Sequence, residues 1–497
     1  MTARKSYRPW SPDQPYLFPP SPRDWLPDGH LARFVLEVVE VLDLSEIEDV
    51  LQDADPRGGR PYNPRMMLAL LVYAYSTGVF SSRKIERRTY EDVAFRYLAG
   101  GQHPEFSTIC AFRRAHLRAI EGLFVQIVRL CGRAGLARLG HVSLDGTKVH
   151  ANASKHKAMS YDRMLAEEQR LEAEIRDLMA RAEGSDVAED ARFGVGIADA
   201  DLPDELQRRA ERLARIQAAK SALEAEAREA RAEQLREQAQ RNREAAGRAE
   251  EASERARALT RARNREAAAN ALKRDAKGDD DDDDAPGNLP EHQPQVTPHG
   301  TPKPAAQRNF TDPDSRIMER GGEFLQGYNC QAAVDADFQI IVAQGVSNQP
   351  PDAEYFVPMM LRVAANAEAM PVVATADAGY WAPRNAAWCE SHGVDAYIST
   401  QRLRRNSVPA PPPIEPPTTP QQRMRAKVSS PEGMKIYRRR KCIPEPVFGQ
   451  IKQTMGFRRF SMRGRTKVSG EWALVCTSHN VRKLWRARTL GRLAQLA

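Results

Sequence analysis

From about Tyr161 to Lys277 the chain is dominated by Ala, Glu, Arg and Leu. That composition favours helix and supplies neither the alternating nor the continuous apolar runs of a sheet. Met164, Leu171, Ile175 and Leu178 form one apolar stripe, and Leu206, Leu213, Ile216 and Leu223 form a second. Gly184, Gly194, Gly196 and Pro203 separate them, so an antiparallel helical hairpin is predicted. Beyond about Ala225 the apolar positions are mostly alanine, which predicts a highly charged, partly ordered helix. The acidic run Asp279–Asp284 follows, in a Gly, Pro and Gln-rich stretch reaching Gln307. Adjacent carboxylates repel one another, so 278–307 reads as a disordered linker. Any sheet must therefore be assembled from sequence on both sides of this excursion.

On the near side, His141–Asn152 reads as a strand, with Val142 and Leu144 on one face and Ser143, Asp145 and Thr147 on the other. Asp145 thus falls on the polar face. Residues 1–138 form an all-α domain. A helix starts at Asp28 or Gly29, and Asn63-Pro64 is a strong start signal for Met66–Tyr75, which is apolar nearly all round. Ser81-Ser82 and Ser107 are candidate caps for two further short helices. Arg113 and Arg114 on the last of these suit either a DNA-contacting helix-turn-helix or the surface of a plain bundle.

On the far side, Phe324–Val334 and Phe338–Val346 read as an antiparallel hairpin turning at Asp335–Asp337. Asp352 marks a helix start. Pro371–Trp381 is apolar on both faces, the pattern of a strand inside a parallel sheet, with Asp377 at its carboxyl end. A helix over 383–391 and a strand over 395–399 follow, then a mobile loop, Gln401–Gly433, and a helical basic unit from Met434. The fold class is α/β, a mixed sheet split after its first strand. Its segments are 139–155 for that strand, 156–277 for the insertion, 308–484 for the remaining core and 485–497 for a basic tail.

Charge is distributed unevenly. The net charge is +8, yet residues 421–497 carry 19 Lys and Arg against Glu432, Glu445 and Glu471. Phe448, Phe457, Phe460, Trp472 and Trp485 interleave with them, which points to a folded basic surface for nucleic acid. The six cysteines are dispersed without a CxxC pair, which argues against a zinc ribbon or a disulfide framework. No apolar run reaches membrane-spanning length, and Met1–Pro20 lacks the apolar core of a signal peptide, so a cytoplasmic protein is expected.

Three carboxylates invite a chemical reading: Asp145, Asp377 and Glu445. Pro444 and Pro446 suit only the first turn of a helix, so Glu445 sits at an N-terminus. Phe448, Gly449 and Lys452 lie three, four and seven residues on, sharing its face, with Lys452 placed to neutralise a phosphate. Three acids in a basic setting are what two Mg²⁺ ions require, since Mg²⁺ takes oxygen ligands and keeps positions for water and phosphate. Asp312, Asp314, Asp335 and Asp337 suit turns instead.

Leu144–Lys148, Thr311–Arg316, Gly327–Asn329, Ala376–Tyr380, Glu445–Gly449 and Gly456–Phe460 with Arg463-Gly464 together resemble the DDE transposases of bacterial insertion sequences. That family's catalytic core is similar to ribonuclease H. The resemblance implies that Asp145, Asp377 and Glu445 are the catalytic, metal-binding triad. It matches Tyr437, Arg440 and Lys452 to the residues that accompany the glutamate, with Lys441 beside them. It also implies DNA contacts at Lys148, Arg458, Arg459 and Arg463, and two Mg²⁺ ions, with Mn²⁺ as a substitute. The partners expected are double-stranded DNA, as terminal inverted repeats and target, and a second copy of the chain. The alternatives are a nuclease with the same core that does not join strands, and an inactive DNA-binding relative.

Overall fold

The computed structural model describes residues 21–52, 61–193, 202–274, 289–401, 409 and 416–492. The chain divides into two compact units: one comprises residues up to 137 with 450–457 and 473–497, the other 138–449 with 458–472.

The first unit is helical: α1 (Leu31–Glu40), α2 (Ser45–Gln52), α3 (Pro64–Ser76), α4 (Ser82–Glu91), α5 (Val93–Leu98), α6 (Phe106–Ala115) and α7 (Leu117–Arg133). Asn63 caps α3 by accepting from the N–H groups of Arg65 and Met66, with Pro64 at the first helical position. Every residue of α3 from Met66 to Ser76 is buried, as an all-round apolar helix requires. The cap of α1 is His30, whose ring accepts from Ala32, and not Asp28 or Gly29. Ser81 and Ser107 make no side-chain cap; α6 begins at Phe106, after Glu105. The expected basic tail is instead helical to Thr489. Trp485 donates to Gly29 O (2.8 Å), Arg488 pairs with Glu37, and Leu484 and Ala487 are buried.

The second unit opens with β1 (His141–His150) and β2 (Ala158–Ser160), followed by α8 (Tyr161–Phe193), α9 (Leu202–Arg248) and α10 (Ala252–Arg274). Met164, Leu171 and Ile216 form the apolar contact between α8 and α9. The alanine-rich part is not a frayed extension: α10 folds back along α9, burying Ala232, Leu235 and Ala269. Small side chains let the two backbones approach closely, and Arg243–Glu266 and Arg265–Gln238 tie the flanks. Of the predicted linker, 278–288 lies outside the described residues. The remainder is ordered: Leu289 is buried, Pro290 O accepts from Ser347, and His292 N–H donates to Asn348.

The sheet is completed by β3 (Gln307–Asn309), which pairs only with β2, and by β4 (Arg316–Arg320), β5 (Glu323–Asp335) and β6 (Ile341–Ser347). Then come α11 (Phe356–Ala367), β7 (Val373–Ala376), α12 (Pro383–Ser391) and β8 (Asp395–Ile398). The strand order is β4-β5-β1-β7-β8, with β6 pairing β5 alongside β4. β5 is antiparallel to β1, whereas β7 and β8 run parallel to it, so the sheet is mixed. Because β1 is central, its expected polar face is not open to water: Ser143 is fully buried, donating to Thr375 O. The expected loop before Gly433 contains a helix. α13 (Pro420–Ser429), capped by a Thr419–Gln422 box, leads into α14 (Pro431–Arg439); residues 402–408 and 410–415 of that loop lie outside the described residues. α15 (Pro444–Gly449) and α16 (Arg465–Thr489) end the chain's regular structure.

Candidate active site

The β1–β7 register builds the site. Leu144 lies opposite Ala376 on parallel strands, so Asp145 and Asp377 are the residues that follow on the two adjacent strands. Strands about 4.8 Å apart bring their first carbons close without any loop having to fold over. Asp377 closes one 3-10 turn, accepting from Gly379 N–H at 2.8 Å. Asp145 accepts from its neighbour Gly146 N–H at 2.8 Å and, on its other oxygen, from Arg440 at 3.4 Å.

Burial pushes the Asp145 carboxyl up to about 6; Arg440 opposes that rise, and Asp377 and Asp352 add to it. Arg440 is itself nearly buried, on a 3-10 turn after α14, with its guanidinium 5.8 Å from the Tyr437 ring. Its charge faces Asp145 and Asp377. Among the described residues, no three acidic, histidine or cysteine side chains are gathered closely enough to hold a metal ion as they stand. Glu445 is exposed in the first turn of α15, a helix that packs against β1 and β5.

A polar layer that the sequence reading did not assign lies beside Asp145. Asp352 is not a helix cap, for α11 begins after Tyr355. Its Oδ1 accepts from Asn329 (2.7 Å) and Gln331 (3.0 Å), with the Lys148 ammonium at 3.6 Å. Gln331 in turn accepts from the buried Tyr380 hydroxyl, whose ionisation is pushed far up by burial. Gly146 makes room for this layer: a Cβ there would stand 2.5 Å from Gln331 Nε2. Two amides, Asn329 and Gln331, alternating within the buried stretch of β5 were the available signal.

Several expected DNA contacts point elsewhere. Arg113 is buried in the first unit and donates to the Tyr75 hydroxyl (2.6 Å) and Phe80 O, so it braces the bundle; Arg114 is exposed. Arg440 and Tyr437 turn inward, and Lys148 is half-buried, donating to Pro350 O at 3.1 Å. Lys441, Arg458, Arg459 and Arg463 are exposed. α15 ends at Gly449 and continues as one π turn, Gln450–Thr454, so the helical spacing that aligned Lys452 with Glu445 does not hold. No helix among the described residues is long and apolar enough to cross a membrane.

Residues 20–115 match a family described as a transposase domain (DUF772), and residues 295–481 match one described as a transposase DDE domain. The second span contains Asp377 and Glu445, while Asp145 precedes it. Comparison with curated proteins and with solved structures finds no match. An N-terminal and a C-terminal transposase region in one chain, in that order, carry one conclusion: the chain belongs to the DDE transposases of the insertion-sequence type.

Proposed function

We propose that this transposase cuts DNA at the ends of its element and joins the freed 3′ hydroxyls to target DNA, using Asp145, Asp377 and Glu445 with Mg²⁺. The observation that carries the proposal is the parallel β1–β7 register, which sets Asp145 and Asp377 side by side where β7 ends. A strand order with an antiparallel strand on one side of β1 and two parallel strands on the other supports the reading of a ribonuclease-H-like sheet.

DDE transposases generally use divalent metal ions, typically Mg²⁺. The residues present fit one: the donors are hard carboxylate oxygens, and Asp145 is raised first by burial and further by Asp377 and Asp352, so a cation beside it would favour its ionised form. Asp145 and Asp377 would hold it, with Glu445 joining them from α15. When bound, a metal pair activates the attacking water or 3′ hydroxyl and stabilises the leaving oxygen. Arg440 favours the ionised form of Asp145 beforehand, and the amides of Asn329 and Gln331 fix Asp352. The exposed cations among residues 441–463 hold the phosphate backbone.

The test incubates the full chain with labelled end DNA in Mg²⁺ and resolves nicked and strand-transfer products. Wild type yields both, and Asp145→Asn and Glu445→Gln yield neither. An Asp145→Asn protein that cuts and joins like wild type refutes the assignment; cutting without joining in wild type reduces the protein to a nuclease.

A further inference from the structure

At the carboxyl end of β1 the chemistry reverses sign. His150 lies five residues beyond Asp145, roughly 17 Å along the strand at about 3.3 Å per residue. There a groove of about 640 Å³ opens, lined by Lys155, His156, Lys157, Arg459 and Arg463 and with no carboxylate in its lining. Lys155, Lys157 and Arg459 are exposed, and Phe324, 62% exposed, stands in its wall.

This groove is built. Its first wall, 458–463, is zipped to the end of β1: His150 N–H donates to Arg458 O, Phe460 N–H to His150 O, and Asn152 to Ser461 O, while Arg463 donates back to Asn152 O. Buried carboxylates brace that wall from behind. Glu471 accepts from the N–H groups of Ser461 (2.9 Å) and Met462 (3.1 Å), and Asp312 accepts from Gly464 N–H (3.1 Å). The second wall, 154–157, is held by Asn309, donating to Ser154 O, and by Phe310 N–H, donating to Lys157 O. A row of cations on pre-formed backbone binds a polyanion with little ordering cost.

We infer that this groove binds the phosphodiester backbone of a single DNA strand, with Phe324 stacking on an unpaired base. The choice of DNA rests on the transposase reading of this chain. The choice of a single strand rests on Phe324, because an unpaired base offers its face to a side chain without the unstacking that a duplex interior would require; cations that track a backbone beside an exposed aromatic are the pattern of single-strand binding. The groove lies outside the acidic site, since its lining includes none of Asp145, Asp377 and Glu445.

The experiment measures binding of the full chain to labelled oligodeoxythymidine and to a blunt duplex by fluorescence anisotropy across a salt series, with cleavage assayed separately. Lys155→Ala/Lys157→Ala/Arg459→Ala flattens the single-strand salt slope by about 2, at about 0.7 for each phosphate no longer neutralised. Phe324→Ala, on an exposed side chain, weakens oligodeoxythymidine binding about tenfold, leaving the salt slope and duplex affinity unchanged. An unchanged slope in the triple variant overturns the groove, and equal losses on both probes in Phe324→Ala overturn the single-strand assignment. If either occurs while wild type still cuts end DNA, the groove falls and the proposed activity stands. If wild type cuts nothing while both changes appear, the activity falls and the groove stands.

Discussion

The middle of β1 and its carboxyl end differ in sign. Where β7 stops, Asp145 is gathered with Asp352 and Asp377 and opposed mainly by one buried arginine; where β1 stops, lysines and arginines line an open groove. The acidic site is largely buried, and that burial, with smaller additions from Asp377 and Asp352 and against Arg440, raises a carboxyl to about 6. The basic end is wet, so its cations act on what arrives, and salt screens them. One strand thus borders a cluster of negative charge and a row of positive charge.

The largest effect that would break this contrast is at the acidic site. Asp145→Asn and Asp377→Asn should each reduce cleavage roughly a thousandfold, the several kcal/mol that metal-held charge stabilisation supplies, while circular dichroism remains that of wild type. At the basic end, Gly464 has φ +83° and its N–H is held by Asp312. Gly464→Ala should cost about 1–2 kcal/mol in thermal unfolding and weaken DNA binding several-fold. If it also removes cleavage of a saturating substrate, the two sites are not separable.

A pH series sharpens the comparison. Asp145 is raised above the ordinary carboxylate value, so it gains a proton as pH falls through about 6 and loses its hold on a cation. Cleavage at limiting Mg²⁺ should therefore fall below about pH 6, and Arg440→Ala should move that fall to higher pH. A smaller effect concerns stability. His141 is pushed down to about 4, chiefly by burial, and shares a hydrogen bond with Thr375 Oγ1 (3.0 Å). The unfolded chain takes its proton first, near 6.5, so the fold loses stability as pH falls from about 6.5 toward 4. His141→Gln should reduce that acid loss by about 5 °C in melting temperature.

What was legible in the sequence was local. The Asn63-Pro64 cap, the β5–β6 hairpin and the double-sided apolar run before Asp377 each declare themselves within about ten residues. That the strands leading to Asp145 and Asp377 could be neighbours also followed, because strand patterns and their order limit which strands pair, and β1 does pair β7. What was not legible depends on partners far off in the chain. Asp352 looks like a helix start until Asn329 and Gln331 are seen to donate to it. Arg113 and Arg440 look like surface cations, but each has a buried acceptor in another element. The alanines of α9 and α10 look like frayed helix, since alanine signals packing only when a second backbone lies against it.

The short β2–β3 ladder bears on the order of events during synthesis. β1 pairs with β5 through His150 and Gly327, so at 5–20 residues per second a ribosome needs about 10–35 s between making the two. Through that interval β1 is a central strand without its antiparallel neighbour. In the folded chain the insertion's helices pack on one another and Ser160 pairs with Gln307, contacts that require nothing synthesised after β3. That small ladder ties off the whole excursion at its base, so what remains to close between His150 and Gly327 is a loop of a few tens of residues, at a lower entropic cost than the full span. The insertion is in this sense a self-sealing branch, and loosening β2 or β3 should slow assembly of the sheet more than it destabilises the finished one.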